Sequence, residues 1–327
     1  MASVSVLVAV YNAAPFLPRC LDSLLGQTMG DVQILCVDDA STDGSLALLL
    51  QYAKRDKRIE VIRLEKNQGQ AHARNMALAQ ARGDFVCFLD ADDWFADDAL
   101  ELAVSEMNAH ADCDSVLFNV YYEYPDGRSE SYAMPSFEQL TGEEAFRLSL
   151  DWQIHGVYLT RRALHQRFPF DGTCRTYSDD NTSRLHYLSS RTVRRCAGVY
   201  HYRQHDASAT HAVNVRRYDF LKANESMKMQ LQQMGASEEV MRSWENIRWL
   251  TLVDLYMFHH CHGHALSTAD RNYGLQELHR VWKNIERPLL ADSTVRKFGY
   301  RPMPCWTLFR LQEWLYFTLR GMLGKNK

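Results

Sequence analysis

The sequence predicts an α/β fold, with a mostly parallel sheet flanked by helices and a helical C-terminal extension. Three observations carry this prediction. Short β-branched runs alternate with helix-like segments, acidic and small residues cluster where those runs end, and long helical patterns take over near residue 215.

The runs Val4 to Val10, Val32 to Val37, Ile59 to Leu64 and Phe85 to Leu89 are bounded by turn residues and read as strands. Pro15 to Leu25 and Ser45 to Asp56, between them, read as helices. Continuous apolar strands alternating with helices fit a parallel sheet covered on both faces. Ligands of such sheets bind beyond the carboxyl ends of the strands. From Leu140 to Ser208 the pattern is mixed and aromatic, with segments suited to returning to the same sheet. Arg216 to Met234 and Glu238 to His259 read as helices, which divides the chain into 1–215 and 216–327. Neither an internal repeat nor a low-complexity tract is present.

A chain of 327 residues, 46% hydrophobic and 24% charged, exceeds what one hydrophobic core usually serves. Its formal charge of −3 offers no global basic field, so no nucleic-acid partner is expected. The eight cysteines are scattered without a CxxC pair and suit a reducing, cytoplasmic setting. Val4 to Val10 is too short for a signal-peptide core, and no run approaches the ~18 apolar residues of a membrane span. Any membrane contact is then made from the side, at the inner face of the plasma membrane.

The second strand ends in Val37-Asp38-Asp39-Ala40-Ser41-Thr42-Asp43-Gly44-Ser45, where carboxylates leave an apolar strand for a turn. Ser41 or Asp43 is placed to cap the next helix, but capping does not account for the two carboxylates before them. The fourth strand ends in Leu89-Asp90-Ala91-Asp92-Asp93-Trp94, which brings three carboxylates to the mouth of the same sheet. So much like charge calls for a cation or hydrogen-bond donors. Oxygen ligands of this kind suit Mn²⁺ or Mg²⁺, which share their shell with water and a substrate diphosphate. Between the two strands lies Asn67-Gln68-Gly69-Gln70-Ala71-His72-Ala73-Arg74-Asn75. Gly69 permits close backbone approach to a ligand, and Arg74 can pair with the carboxylates or with phosphate.

Four segments in this order, Ser3 to Asn12, VDDASTDGS, NQGQAHARN and FLDADD, resemble family two of the inverting glycosyltransferases, whose fold is GT-A. The resemblance continues more loosely to about residue 211. It implies a UDP-sugar donor, with Val10 and Tyr11 at the first strand end, Tyr11 stacked on uracil and Asp39 accepting from the base. By the same carry-over Asn67 and Arg74 belong to the nucleotide pocket, Asp90 and Ala91 to the ribose side, and Asp92, with Asp90 and His211, to the metal. Tyr177-Ser178-Asp179-Asp180-Asn181 resembles the family's distal Glu-Asp pair, with Asp in place of Glu. Asp180 is the expected catalytic base and Asp179 its neighbour. Arg203 and Ser208 are the implied phosphate contacts, and His205 or His211 touches phosphate or completes the metal shell. Trp152 and His155 fall where the acceptor-side wall is expected. The implied acceptor is a glycan or lipid-linked hydroxyl in cell-surface polysaccharide, lipopolysaccharide, capsule or O-antigen synthesis. Two other classes share such residues: a nucleotidyltransferase, which attacks phosphorus, and a module that binds nucleotide sugar without turnover.

Two C-terminal signals stand outside the resemblance. His259-His260-Cys261-His262-Gly263-His264 has zinc-ligand chemistry in the wrong spacing, and a frayed helix end explains it more simply. Cys305 to Arg320 mixes Trp, Tyr, aliphatic residues and Arg. That mixture suits a bilayer interface, packing against the rest of the chain, or a contact between copies in a homo-oligomer.

Overall fold

The computed structural model describes residues 3–174, 179–205 and 213–324, with the side chain of Asp179 left aside. These residues form two compact units, one ending before the segment that follows residue 205 and the other helical.

The first unit is built on ten strands: β1 (Val4–Val10), β2 (Val32–Asp38), β3 (Ile59–Arg63), β4 (Phe85–Phe88), β5 (Trp94–Phe95), β6 (Cys113–Glu123), β7 (Ser129–Ser131), β8 (Gln139–Thr141), β9 (Tyr158–Arg161) and β10 (Thr192–Arg203). Their order in the sheet is β3-β2-β1-β4-β9-β6-β10-β5, with β7 on β6 and β8 on β10. The β1, β2, β3 and β4 neighbours run parallel, as do β6 and β10, whereas β9 is antiparallel to both β4 and β6.

Alternation along β1 sorts its side chains between two cores. Val4, Val6, Val8 and Val10 join Leu17, Leu21, Ile34 and Leu49. Leu7 joins Leu35, Val37, Ala73 and Val86. Both faces are covered, so the strand reads as one apolar run. Helix α1 (Leu17–Leu25) has a proline in its first turn and buries Leu17, Cys20, Leu21 and Leu24, the i, i+3, i+4, i+7 stripe of a helix lying on a sheet. Helices α2 (Ser45–Arg55), α3 (Gln70–Leu78), α4 (Ala99–Ala109), α5 (Gly142–Leu150), α6 (Arg162–Arg167) and α7 (Asp179–Ser189) complete this unit.

The helical unit contains α8 (Asp219–Gln233), α9 (Glu238–His262), α10 (Thr268–Lys283), α11 (Asp292–Val295) and α12 (Trp306–Met322). Trp249, Leu252, Val253, Leu278, Phe309 and Phe317 form its core. Two boundaries differ from the sequence expectation. Val215–Tyr218 is a 3₁₀ turn, with the Asn214 side chain accepting from the Arg216 N–H, and the α-helix starts after it. The end of α9 is not frayed at His259, because Tyr218 hydrogen-bonds the His259 ring at 2.8 Å and the helix continues to His262. Among the described residues no three His, Cys, Asp or Glu side chains gather as a metal site.

Candidate functional site

The carboxyl ends of β1, β2 and β4 meet at one edge of the first unit, and hydrogen bonds between their loops shape it. After β1, Asn12 takes a left-handed φ of 51° and its side chain accepts from the Thr42 N–H at 2.8 Å. Asp43 accepts from the Ala14 N–H at 3.1 Å and from the Ser45 N–H at 2.9 Å. It therefore serves the start of α2 and also ties the loop after β1 to the loop after β2. Val10 is buried beneath this junction, and Tyr11 stands on top with its ring 51% exposed, available for stacking.

Asp39 is buried, and each carboxylate oxygen accepts one backbone N–H, from Gln68 and from Gly69, both at 2.8 Å. The Asn67 amide donates to the Asp39 carbonyl at 3.4 Å. Gly69 has φ 93°, a left-handed value that opens α3 directly after this anchor. One carboxylate thus holds the turn from which Arg74 is presented. A carboxylate oxygen has two lone pairs, so acceptance of a base N–H stays open to Asp39. Beside it, Asp38 Oδ1 is buried without a hydrogen-bond partner among the described residues.

Arg74 is buried with its guanidinium 4.0 Å from the Phe88 ring centroid and 5.2 Å from that of Phe170. It donates to Asp90 Oδ1 at 2.5 Å, the oxygen that also accepts from Gln70 at 2.8 Å. Arg74 Nε is buried and lacks a partner among the described residues. A cavity of about 30 Å³ is lined by Arg74, Phe88, Tyr158, Phe170 and Asp180, among others. The proposed nucleotide side and the proposed base therefore reach one cavity from α3 and α7. The loop before α7 is latched to it, since Asp171 accepts from Asn181 at 2.8 Å and Thr182 accepts from the Asp171 N–H at 3.1 Å.

The turn after β4 separates the three carboxylates expected at the sheet mouth, which corrects that expectation for Asp93. Asp93 faces inward, accepting from the Tyr200 hydroxyl at 2.6 Å and the Arg203 N–H at 2.8 Å. Burial, then the charges of Asp90 and Asp92, push its pKa well above the usual carboxylate range. Asp90 is engaged by Arg74, and buried Ala91 separates it from Asp92. The Asp92 carboxylate is part-exposed and lies 2.9 Å from His205 Nε2. No third donor of the described residues joins them. A divalent ion fits this donor set only if one carboxylate suffices from the protein and phosphate and water complete the shell, which is the habit of Mg²⁺.

Arg203 donates to the Asp92 carbonyl at 2.8 Å, with its guanidinium 5.4 Å from the Phe16 ring centroid and 4.8 Å from that of Trp94. His205 stacks on Phe16 with centroids 5.0 Å apart. Sequence reasoning did not assign Phe16 or Trp94 to the site, and no local signal marks them, because their partners lie far along the chain. Trp152 is 52% exposed with φ 61°, and the Arg184 guanidinium lies 5.6 Å from its ring centroid. His155 is buried; burial, outweighing its backbone hydrogen bonds, lowers its pKa to about 4. Ser208 and His211 lie outside the described residues, as does the side chain of Asp179.

Residues 5–168 match the model of a family described as glycosyl transferase family 2. EpsH of Bacillus subtilis (strain 168) is 33% identical over 216 residues, covering 63% of this chain and 62% of EpsH. The chain thus spans about three fifths of that relative. A poly(ribitol-phosphate) beta-glucosyltransferase of Bacillus spizizenii is 43% identical over 100 residues, 30% of this chain and 16% of that protein. Residues 1–349 of S. aureus TarS, crystallised in complex with UDP-GlcNAc, share the fold at a TM-score of 0.76 and 19% identity, covering 99% of this chain and 93% of that one.

Proposed function

This chain belongs to glycosyl transferase family 2, and from that premise we propose that it moves a sugar from a UDP-sugar to an acceptor hydroxyl, with inversion, in bacterial cell-surface glycan synthesis. The observation that carries the reading is the cavity where Arg74, paired with Asp90, meets Asp180 at the carboxyl edge of the sheet. A donor site beside a carboxylate is what direct displacement at an anomeric carbon requires. The surface-glycan setting rests on the relative named for poly(ribitol-phosphate) glucosylation.

In this mechanism Tyr11 and Asp39 hold the base, with Asn67 keeping the Asp39 loop in place. Ala91 and Asp90 face the ribose, and Arg74 holds the Asp90 carboxylate in place. Arg203, braced between Phe16 and Trp94, directs positive charge toward the diphosphate. Asp180 accepts the acceptor's proton on the face opposite the leaving nucleotide, so attack inverts the anomeric centre; Asp179 orients it or the acceptor. Mn²⁺ or Mg²⁺, when bound at Asp92, supplies charge neutralisation for the departing UDP. Incubation with a panel of UDP-sugars is expected to release UDP, even from slow donor hydrolysis. Release of pyrophosphate instead would assign the chain to nucleotidyl transfer, and tight binding with no release to a non-catalytic module.

We also propose contact with an anionic membrane surface through α12, at the cytoplasmic face. No helix among the described residues is long and apolar enough to cross a membrane. The inner side of α12 buries Phe309 and Phe317, while Leu308, Leu311, Trp314, Leu315, Leu319 and Met322 are exposed on the other. Cutting the chain before Cys305 would remove core, so the proposed contact is tested on the exposed face alone. Residues 296–327 hold seven Lys and Arg (Arg296, Lys297, Arg301, Arg310, Arg320, Lys325, Lys327) against one acid, Glu313. Glu313 is buried, and burial pushes its pKa to about 8, so it does not offset that charge at neutral pH. The double variant Leu311→Ser, Leu315→Ser should fold normally yet lose cosedimentation with anionic vesicles. Undiminished cosedimentation would end the idea, and a wild-type dimer dissolved by the same variant would assign the face to a second copy.

A further inference from the structure

The helical unit contains a cleft that the transferase reading does not use. Its volume is about 360 Å³, and its lining includes His259, His264, Thr268, Arg271, Asn272 and Arg310. That size lies within the range of small-molecule pockets, about 300–1,000 Å³. The lining has two guanidiniums, two imidazoles, an amide and a hydroxyl, with no aspartate or glutamate.

Like-charged groups gathered without a counter-charge cost stability unless an anion visits them. Arg271 and Arg310 form no ion pair among the described residues. The nearby acid, Asp270, is turned to the start of α10, where its carboxylate accepts from Ser267 Oγ at 2.8 Å. Thr268 opens α10, a helix of 16 residues, so the positive end of its dipole also meets the cleft. His259 is held on one side by the Tyr218 hydroxyl, 2.8 Å from Nδ1, and a hydroxyl donating there leaves the imidazole hydrogen on Nε2. Its pKa is lowered to about 4, first by burial and then by the charges of Arg271 and Arg310, which places both guanidiniums within electrostatic reach of one ring.

Planar guanidiniums present paired N–H donors that match phosphate oxygens. We propose that this cleft is a phosphate-binding site, taking a phosphate ester through Arg271 and Arg310, with His264, His259 and the Asn272 amide as further donors. The volume leaves room for the alcohol that the phosphate esterifies. Such an ester reaches the protein either as a soluble polyol phosphate or as a lipid headgroup, and the chemistry in the cleft is the same for both. The proposal does not depend on the transferase reading, since no residue of the cleft belongs to the first unit.

The test uses the full chain and needs no turnover. Titration with inorganic phosphate and with glycerol phosphate, at constant ionic strength against chloride, should give saturable binding in wild type. Arg271→Gln should weaken it at least tenfold. Thr268→Glu is the second variant: an acid in the first turn suits a helix, so the fold is kept while a carboxylate enters the cleft, and binding should be lost. Arg287→Gln, which alters an arginine stacked on Trp282 and outside the cleft, should bind as wild type does. Cosedimentation with phosphatidylglycerol vesicles, compared with phosphatidylcholine, separates the sources. Loss of soluble binding in both cleft variants supports a polyol phosphate, and a loss seen only on phosphatidylglycerol supports a lipid headgroup. A wild-type response equal to that in chloride on every probe, or binding that survives Arg271→Gln and Thr268→Glu alike, overturns the proposal.

Discussion

Replacing Asp180 by asparagine is expected to lower kcat by about 10²- to 10⁴-fold while leaving affinity for the UDP-sugar nearly unchanged. Asparagine keeps the size and most of the hydrogen bonding of aspartate but cannot take a proton from the acceptor. A residue that only bound substrate would instead raise KM. Asp180 lies in the first turn of α7, where its carbonyl accepts from the Ser183 hydroxyl at 2.9 Å. That contact is made by the main chain, so the substitution leaves it in place. The Asp171 latch on Asn181 and Thr182 is likewise untouched. Far-ultraviolet circular dichroism with a thermal scan separates loss of the base from loss of the fold. Asp179→Asn, measured beside it, should do less harm. A dead Asp179→Asn with an active Asp180→Asn would exchange the two roles, and wild-type turnover in both would place the base elsewhere.

Much of the sheet was legible because burial on both faces makes each inner strand a plain apolar run. Val4–Val10 was delimited to the residue, and the other three early strands to within one. What escaped was order in space: β9 inserts antiparallel between β4 and β6, a pairing set by contacts some 75 residues apart, Phe85 with Arg161. The same limit applies at the site. The resemblance implied different roles for Asp90 and Asp92, but only partners on β10 and α3 show how the three carboxylates are sorted and that Asp93 turns inward. Tyr200 and the Arg203 N–H draw Asp93 inward, Arg74 takes Asp90, and Asp92 remains nearest to solvent. In α12 the composition showed an aromatic helix, but only the packing of Phe309 and Phe317 shows which face is spent.

That sorting makes Asp92 the carboxylate whose loss should matter most on the donor side. Asp92→Asn is expected to abolish the Mn²⁺ dependence of UDP binding and to lower transfer by roughly 10³-fold, the equivalent of about 4 kcal/mol of charge stabilisation. The remaining carboxylates cannot substitute: Asp93 is buried against Tyr200, and Asp90 is neutralised by Arg74. The loop itself should survive, because Arg203 binds the Asp92 carbonyl and not its side chain. Calorimetry of UDP binding with and without Mn²⁺ separates a metal role from a structural one. If Asp92 only braces His205 at 2.9 Å, the asparagine variant keeps an acceptor for that ring and the Mn²⁺ dependence will be intact. If Asp92 holds the ion, affinity in Mn²⁺ falls to the value seen in EDTA, and added EDTA changes nothing further. Full wild-type turnover in excess EDTA would remove the metal from the mechanism and leave Arg203, between Phe16 and Trp94, as the main counter-charge to the diphosphate.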